Sequence, residues 1–307
     1  MATYTNHQIS RYLEHIGYET EPHYSIEKHF REEPLHLLTK LQVLHMARVP
    51  FESLSLHYSK HRVLSLDPED LFEKIITRGR GGYCMEVNAF FGTVLRTLGF
   101  RIVSVGGRVC VGGGYKGWDH MVNLVTIEGR RYLVDVGFGS NGSTYPFPLE
   151  HDQKMLAVFP AHGRLQYKNL DIHTDPDQRV WVYSVQQDES APWKDMYAFV
   201  EIEFFPADFE LMNMRTSASP QSFFVQSVMC MKTILDEHKN APMGKIILHR
   251  DYVKRVMEGK AEIIKKLHSE KERIQALADY FDITLTEQEQ KGIRGLASEL
   301  RDYSAHA

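Results

Sequence analysis

The chain has 307 residues, 43% of them hydrophobic and 25% charged, with 40 acidic against 36 basic side chains. That length allows a sizeable core without disulfide or metal staples and suggests two or three domains. The slight acidic excess argues against nucleic acid as a main partner, and no uncharged stretch is apolar and long enough to span a bilayer. The first hundred residues read as helical. Asp67-Pro68-Glu69-Asp70 has the form of a helix start, with Asp as N-cap, Pro at the first position and acids in the first turn. Leu71, Phe72, Ile75 and Ile76 follow at helical spacing until Gly79. A second helix is expected from Cys84 to Leu98, with Val87, Phe90, Phe91, Val94, Leu95 and Leu98 as its apolar stripe.

From Phe100 the pattern turns to β. Ile102–Val105 and Arg108–Val111 read as short strands separated by Gly106-Gly107, and Met121–Ile127 and Arg131–Val136 as a hairpin about Glu128-Gly129-Arg130. Val180–Val185 and Met196–Phe205 are further strands, while Gly112-Gly113-Gly114 and residues 137–148 read as loops. Lys245–His249 reads as one more strand. Asp251–Leu267 and Ser269–Tyr280 read as charged, solvent-facing helices, and Thr286 with Glu289 as a capping box. The order is helical, then β, then mixed, which is α+β rather than the alternation of a parallel-sheet fold.

Three cysteines cannot all pair within one chain, and the N-terminus has no basic start followed by an apolar block. A reducing, cytoplasmic setting with free thiols is therefore expected. Of the three, Cys84 stands out. It falls between the glycine-rich turn Arg80-Gly81-Gly82 and the start of an apolar-striped helix, where the macrodipole and free amides favour the thiolate. Arg80 brings a positive charge close in sequence, and Gly81-Gly82 could present backbone N–H groups to a reacting carbonyl. Cys110 and Cys230 sit in apolar runs and read as packing residues. A cysteine nucleophile needs a base, and the base needs an orienting group. His120 and Asp135 lie at the edges of β segments that one hairpin can bring side by side, which gives a Cys–His–Asp arrangement of the papain type. His57 and His61, four apart, read as exposed histidines rather than metal ligands, and no metal is expected.

These residues resemble the arylamine N-acetyltransferase family. Arg80-Gly81-Gly82-Tyr83-Cys84-Met85-Glu86-Val87-Asn88 is similar to that family's signature around its cysteine. Tyr12-Leu13 with Ile16-Gly17-Tyr18, Pro50-Phe51-Glu52-Ser53-Leu54, His120 followed by Asp135 in V-D-V-G-F-G, and Asp208-Phe209-Glu210 with Asn213 and Ser219-Pro220 extend the likeness over roughly residues 10 to 230, in the manner of a eukaryotic, fungal-like member. The resemblance implies an α+β fold with a papain-like cysteine-triad core. Its expected parts are an N-terminal helical domain (residues 1–99) carrying the cysteine, an antiparallel β-barrel (100–215) carrying His and Asp, and a C-terminal α/β lid (216–307).

The resemblance also implies ping-pong acyl transfer from acetyl-CoA through Cys84 to an arylamine, hydrazine or N-hydroxyarylamine, with a place in xenobiotic metabolism. Carried over residue by residue, Cys84, His120 and Asp135 are the triad. Lys116, Gly117 and Arg215 are expected to touch CoA, and Phe138, Asp119 and Tyr83 the acceptor. Ser140 stands where better-known relatives have arginine, which bears on acceptor choice. Malonyl-CoA is the alternative donor, because Arg108 and Lys116 could pair with a malonyl carboxylate. A cysteine hydrolase or transglutaminase shares the Cys, His, Asp order but lacks the Arg80-Gly81-Gly82 signature.

Overall fold

A computed structural model of the chain describes residues 2–19, 25–236 and 241–300. The N-terminal part is helical: α1 (Asn6–Ile16), α2 (Ile26–Glu32), α3 (Pro34–Arg48), the short strand β1 (Phe51–Glu52), α4 (Pro68–Phe72) and α5 (Cys84–Thr97). Asp67 caps α4 as expected, its carboxylate accepting the amides of Glu69 and Asp70. The helix then widens into a π-turn over Glu73–Thr77. The apolar stripe of α5 is its core face, with Phe90, Phe91, Val94 and Leu95 fully buried.

A barrel-like antiparallel sheet follows. Its strands are β2 (Arg101–Val111), β3 (Gly114–Tyr115), β4 (His120–Ile127), β5 (Arg130–Val134), β6 (Phe147–Pro148), β7 (Lys154–Leu156), β8 (His162–Lys168), β9 (Val180–Gln186) and β10 (Lys194–Glu203). They are ordered β6-β5-β4-β2-β10-β9-β8-β7, with β3 beside β2. The two edges approach each other through the link between them, because Leu149 N–H donates to Arg131 O while Asp152 N–H donates to Leu165 O. The sheet is thus nearly closed, which leaves little open edge. The β4–β5 hairpin turns at Glu128-Gly129 with φ of +50° and +79°, the mirror-image turn that suits the right-handed twist of paired strands. Gly106-Gly107 does not break the strand: β2 runs straight through both. A Cβ on Gly106 would lie 2.3 Å from the Phe204 ring, so this glycine marks a close approach rather than a turn.

The C-terminal part comprises α6 (Pro206–Ala218), α7 (Phe223–Gln226), β11 (Met229–Leu235), β12 (Pro242–His249), β13 (Tyr252–Met257), β14 (Lys260–Lys266), α8 (Glu270–Phe281) and α9 (Glu287–Lys291). The helix expected over Asp251–Leu267 is instead the β13–β14 hairpin. It turns at Glu258-Gly259, with φ of +49° and +76°, as the other Glu-Gly pair does. Charged side chains on its open face gave it a helical texture, whereas the buried Val253 and the following Leu267 tie it to the core. Nor is α8 solvent-facing all round: Ala276, Leu277 and Phe281 pack against Leu248 and Val253. The sheet order β1-β11-β12-β13-β14 includes one strand from the helical part, with Phe51 opposite Met231 and Glu52 opposite Cys230. Among the described residues no helix is long and apolar enough to cross a membrane.

Candidate active site

Cys84 is the first residue of α5, so its amide belongs to the first-turn N–H groups that find no partner within a helix. Its position is fixed from behind by buried ion pairs. Arg80 lies 3.3 Å from Glu52 and 3.1 Å from Glu289, and Lys74 lies 2.6 Å from Glu86. Arg80 therefore faces Glu52 and Glu289, not the sulfur. The glycine turn also differs from expectation. Gly81 N–H donates to Glu52 Oε1 at 3.3 Å and Gly82 N–H to Pro50 O at 3.3 Å, so neither amide is free for a reacting carbonyl. These residues are glycine because there is no room: a Cβ on Gly81 would lie 1.7 Å from the Pro50 carbonyl oxygen, and one on Gly82 2.6 Å from Glu86.

His120 opens β4 and pairs across to Gly107, while Asp135 follows the last residue of β5. The hairpin brings them together: His120 Nε2 lies 2.7 Å from Asp135 Oδ2, and both residues are buried. The other oxygen, Asp135 Oδ1, accepts from Asn88 Nδ2 at 2.9 Å and from Gly137 N–H at 2.8 Å. With Nε2 engaged, Nδ1 is the ring nitrogen left for the thiol. Burial alone would push the His120 pKa down, but the Asp135 carboxylate and then Cys84 outweigh it and push it up to about 10. Asp135 shows the complement. Burial opposes its charge, yet His120, Asn88 and the Gly137 amide hold it below the ordinary carboxylate value. Cys84 Sγ lies 3.7 Å from the Asp119 carbonyl oxygen and is 3% exposed. The other two thiols are free but unsuited to the task, since burial raises that of Cys110 and raises that of Cys230 well above its usual value.

Cys84 and His120 form part of the wall of a cavity of about 640 Å³. Phe51, Phe138 and Phe224 give it an apolar side, and Lys116, Gly117, Asp119 and Arg215 a polar one. Asp119 Oδ1 accepts the Val109 amide at 2.9 Å. Burial raises its carboxyl, while His120, Lys116 and Arg215 pull the other way. Phe138 meets His120 edge to face, with centroids 5.1 Å apart. Tyr83 does not line the cavity. It is fully buried, packs on Phe224 at 5.2 Å and donates its hydroxyl to Asn213 Oδ1. Arg108 is also absent from the wall, because it stacks 3.9 Å over Trp118 and donates to the Lys116 carbonyl. Ser140 is on the wall, its carbonyl accepting from Lys245, a buried amine pulled down to about 8 by desolvation. His57 is wholly buried, 2.9 Å from Phe224 O and 2.8 Å from Ser298 Oγ, whereas His61 is exposed, so the two do not act as a pair.

Sequence reasoning gave no role to Asn88, Gly137 or Lys245. Asn88 had a signal: it lies four residues after Cys84, on the same face of α5. Its Nδ2 also donates to Met121 O at 2.7 Å, and its Oδ1 accepts from Val136 N–H at 3.0 Å. Gly137 lets the strand end pass close to the cysteine, since a Cβ there would lie 2.8 Å from Cys84 Cα and from Asn88 Nδ2.

Comparison with known proteins agrees with this architecture. A family described as N-acetyltransferase matches residues 34–290. N-malonyltransferase FDB2 of Fusarium pseudograminearum (strain CS3096) is 40% identical over 285 residues, covering 86% of this chain and 83% of that protein. Human arylamine N-acetyltransferase 1 is 30% identical over 291 residues, covering 90% and 94%. The solved structure of the Mycobacterium marinum arylamine N-acetyltransferase in complex with CoA has a TM-score of 0.75 at 26% identity, covering 93% of this chain and 97% of that one. Fold and relatives together define an acyltransferase. The chain belongs to the arylamine N-acetyltransferase family, with fungal proteins among its relatives.

Proposed function

We propose that the protein moves an acyl group from a CoA thioester, through a thioester on Cys84, to an aromatic amine, hydrazine or N-hydroxyarylamine. The observation that carries this reading is the buried Cys84–His120–Asp135 arrangement opening on one cavity. With the proton on His120, the Cys84 sulfur attacks the thioester carbonyl, the Cys84 S–C bond forms and the CoA thiolate leaves. His120 gives its proton to that thiolate, releasing CoA as a thiol. Acylation removes the negative charge on Cys84, one of the influences that hold the proton on His120, so neutral imidazole is then easier to reach. That imidazole takes the proton of the amine as nitrogen attacks the acyl carbon, and the Cys84 sulfur departs as thiolate. Asp135 holds the ring and stabilises imidazolium throughout. The Cys84 amide at the head of α5, in place of Gly81 and Gly82, is the donor we assign to the developing oxyanion.

Lys116 and Arg215 offer cations to the CoA phosphates or to a carboxylate on the acyl group, Gly117 allows close approach beside them, and Phe138 and Asp119 face the acceptor. The two wall cations, together with the likeness to an N-malonyltransferase, favour malonyl as the acyl group over acetyl, the family's usual one. We place the reaction in the cytoplasm, where three free thiols persist. We keep the division at residues 1–99, 100–215 and 216–307 as a functional one, since side chains of all three segments line the cavity. Release of CoA from malonyl-CoA and acetyl-CoA with an arylamine present tests the whole reading. Intact-mass analysis should find a malonyl adduct that is absent in Cys84→Ala. Equal or absent turnover with malonyl-CoA would sink that donor, and peptide cleavage indifferent to CoA would point to a hydrolase.

A further inference from the structure

The corner between α2 and α3 carries a cluster that acyl transfer does not use. His29 Nε2 lies 2.8 Å from His36 Nδ1. Glu33 Oε2 lies 3.4 Å from His36 Nδ1 and 3.9 Å from His29 Nε2. Among the described residues this is the one group of three His, Cys, Asp or Glu whose ligand atoms all converge within 4.8 Å of one another. A tetrahedral ion with nitrogen and oxygen ligands at about 2.0–2.2 Å keeps those ligands about 3.4 Å apart, and the observed separations straddle that value. The chain sets the geometry at the corner itself. Glu33 is the single residue between the two helices, Pro34 opens α3, and the three ligands fall at i, i+4 and i+7 around the bend.

The geometry points to a divalent transition-metal site formed by His29, Glu33 and His36, a zinc-type site clamping α2 to α3. Two imidazoles and one carboxylate suit zinc, cobalt, nickel or copper rather than magnesium or calcium. The innermost ligand is supported from behind: His29 Nδ1 lies 2.8 Å from the Tyr18 hydroxyl, the kind of outer partner that fixes ring orientation in metal-bound histidines. On its outer side the cluster borders a hollow of about 780 Å³, bounded by Glu33, His36, Thr39, Glu128 and Tyr132, with room for water as a fourth ligand. None of the three residues lines the cavity of Cys84, so this site stands apart from the one proposed for acyl transfer.

The side chains of His36 and Glu33 are 65% and 59% exposed, so substituting them leaves the core intact. Chelator-stripped full-length protein would be titrated with zinc chloride by calorimetry, as wild type, Cys84→Ser, His36→Ala and Glu33→Gln. One zinc per chain is expected in wild type and in Cys84→Ser, with binding at least tenfold weaker in His36→Ala and Glu33→Gln. Zinc should raise the melting temperature of wild type and of Cys84→Ser but not of His36→Ala, whose metal-free acyl transfer should match wild type. Cobalt in place of zinc should give the visible absorption of a four-coordinate site that His36→Ala lacks. Unchanged zinc affinity in His36→Ala would overturn the proposal. So would binding lost only in Cys84→Ser, which would make the thiol the ligand, or magnesium bound as well as zinc.

Discussion

At and beneath the floor of the cavity both oxygens of Asp135 are engaged, His120 is held on one ring nitrogen, and Gly137, against the Cys84 backbone, has no space for a methyl group. On the rim Lys116, Gly117 and Arg215 are exposed, and a Cβ added to Gly117 would meet nothing within 4 Å. The floor is over-determined and the rim is not. A buried, fully hydrogen-bonded array loses much when one member is removed, whereas an exposed cation contributes mainly through the partner that comes to it. On the function proposed above, this contrast would separate the groups that carry the chemistry from those that meet the donor.

The sharpest break should come from Cys84→Ala, which is expected to abolish the acyl adduct and lower CoA release by at least about a thousandfold. Gly137→Ala tests the floor's tolerance: its methyl would fall 2.8 Å from Cys84 Cα, and turnover should drop by about a hundredfold. Gly117→Ala, on the rim, meets no protein atom and should leave the melting temperature unchanged, its effect confined to a severalfold rise in KM for the CoA donor, which approaches there. Asn88→Ala leaves Asp135 and the Val136 amide each short of a partner, at about 1–3 kcal/mol apiece. It should lower kcat/KM by roughly 10–100-fold and also the melting temperature. Arg215→Ala should raise KM for malonyl-CoA about tenfold, near 1.4 kcal/mol, while acetyl-CoA changes less than about threefold; equal shifts would assign Arg215 to CoA itself.

A last expectation concerns pH. His120 is raised in the folded state to about 10, so the stability it contributes is complete below its unfolded value of about 6.5 and is lost as pH rises towards 10. The melting-temperature gap between wild type and His120→Asn should therefore shrink over that window. A gap that stays constant would remove the charged pair from the account of the floor.

Much of the floor was legible in the sequence. Cys84 after a glycine turn, and His120 and Asp135 at hairpin ends, are chemical types whose placement follows from local spacing. Asp67-Pro68 and Thr286 with Glu289 were legible for the same reason, since caps are local. What failed was whatever depends on who packs against whom. A glycine offering its amide and a glycine making room look alike in sequence, and Gly81, Gly82, Gly106 and Gly107 all proved to be the second kind or to lie within a strand. Arg80 and Arg108 are cations near the site in sequence, but Glu52 and Trp118 had already claimed them. His57 read as exposed because its partners, Phe224 and Ser298, are far along the chain. The hairpin of β13 and β14 was hidden by its lysines and glutamates, although it shares its Glu-Gly turn with one that was read correctly.

The pairing of β1 with β11 bears on how the molecule comes into being. Ser53, just after β1, donates its hydroxyl to the carbonyl of Ser227, 174 residues further on, and Glu289 reaches back to Arg80 from later still. Contacts at such separation form late, because a long loop must close before they reward it. During synthesis the turn before Cys84 leaves the ribosome long before the strand and carboxylate that brace it. Contacts between the first and last segments therefore tie their assembly together. A shortened chain that ends before β11 would keep the His120–Asp135 pair on its hairpin, yet lose the strand and the carboxylate that brace the turn leading into Cys84.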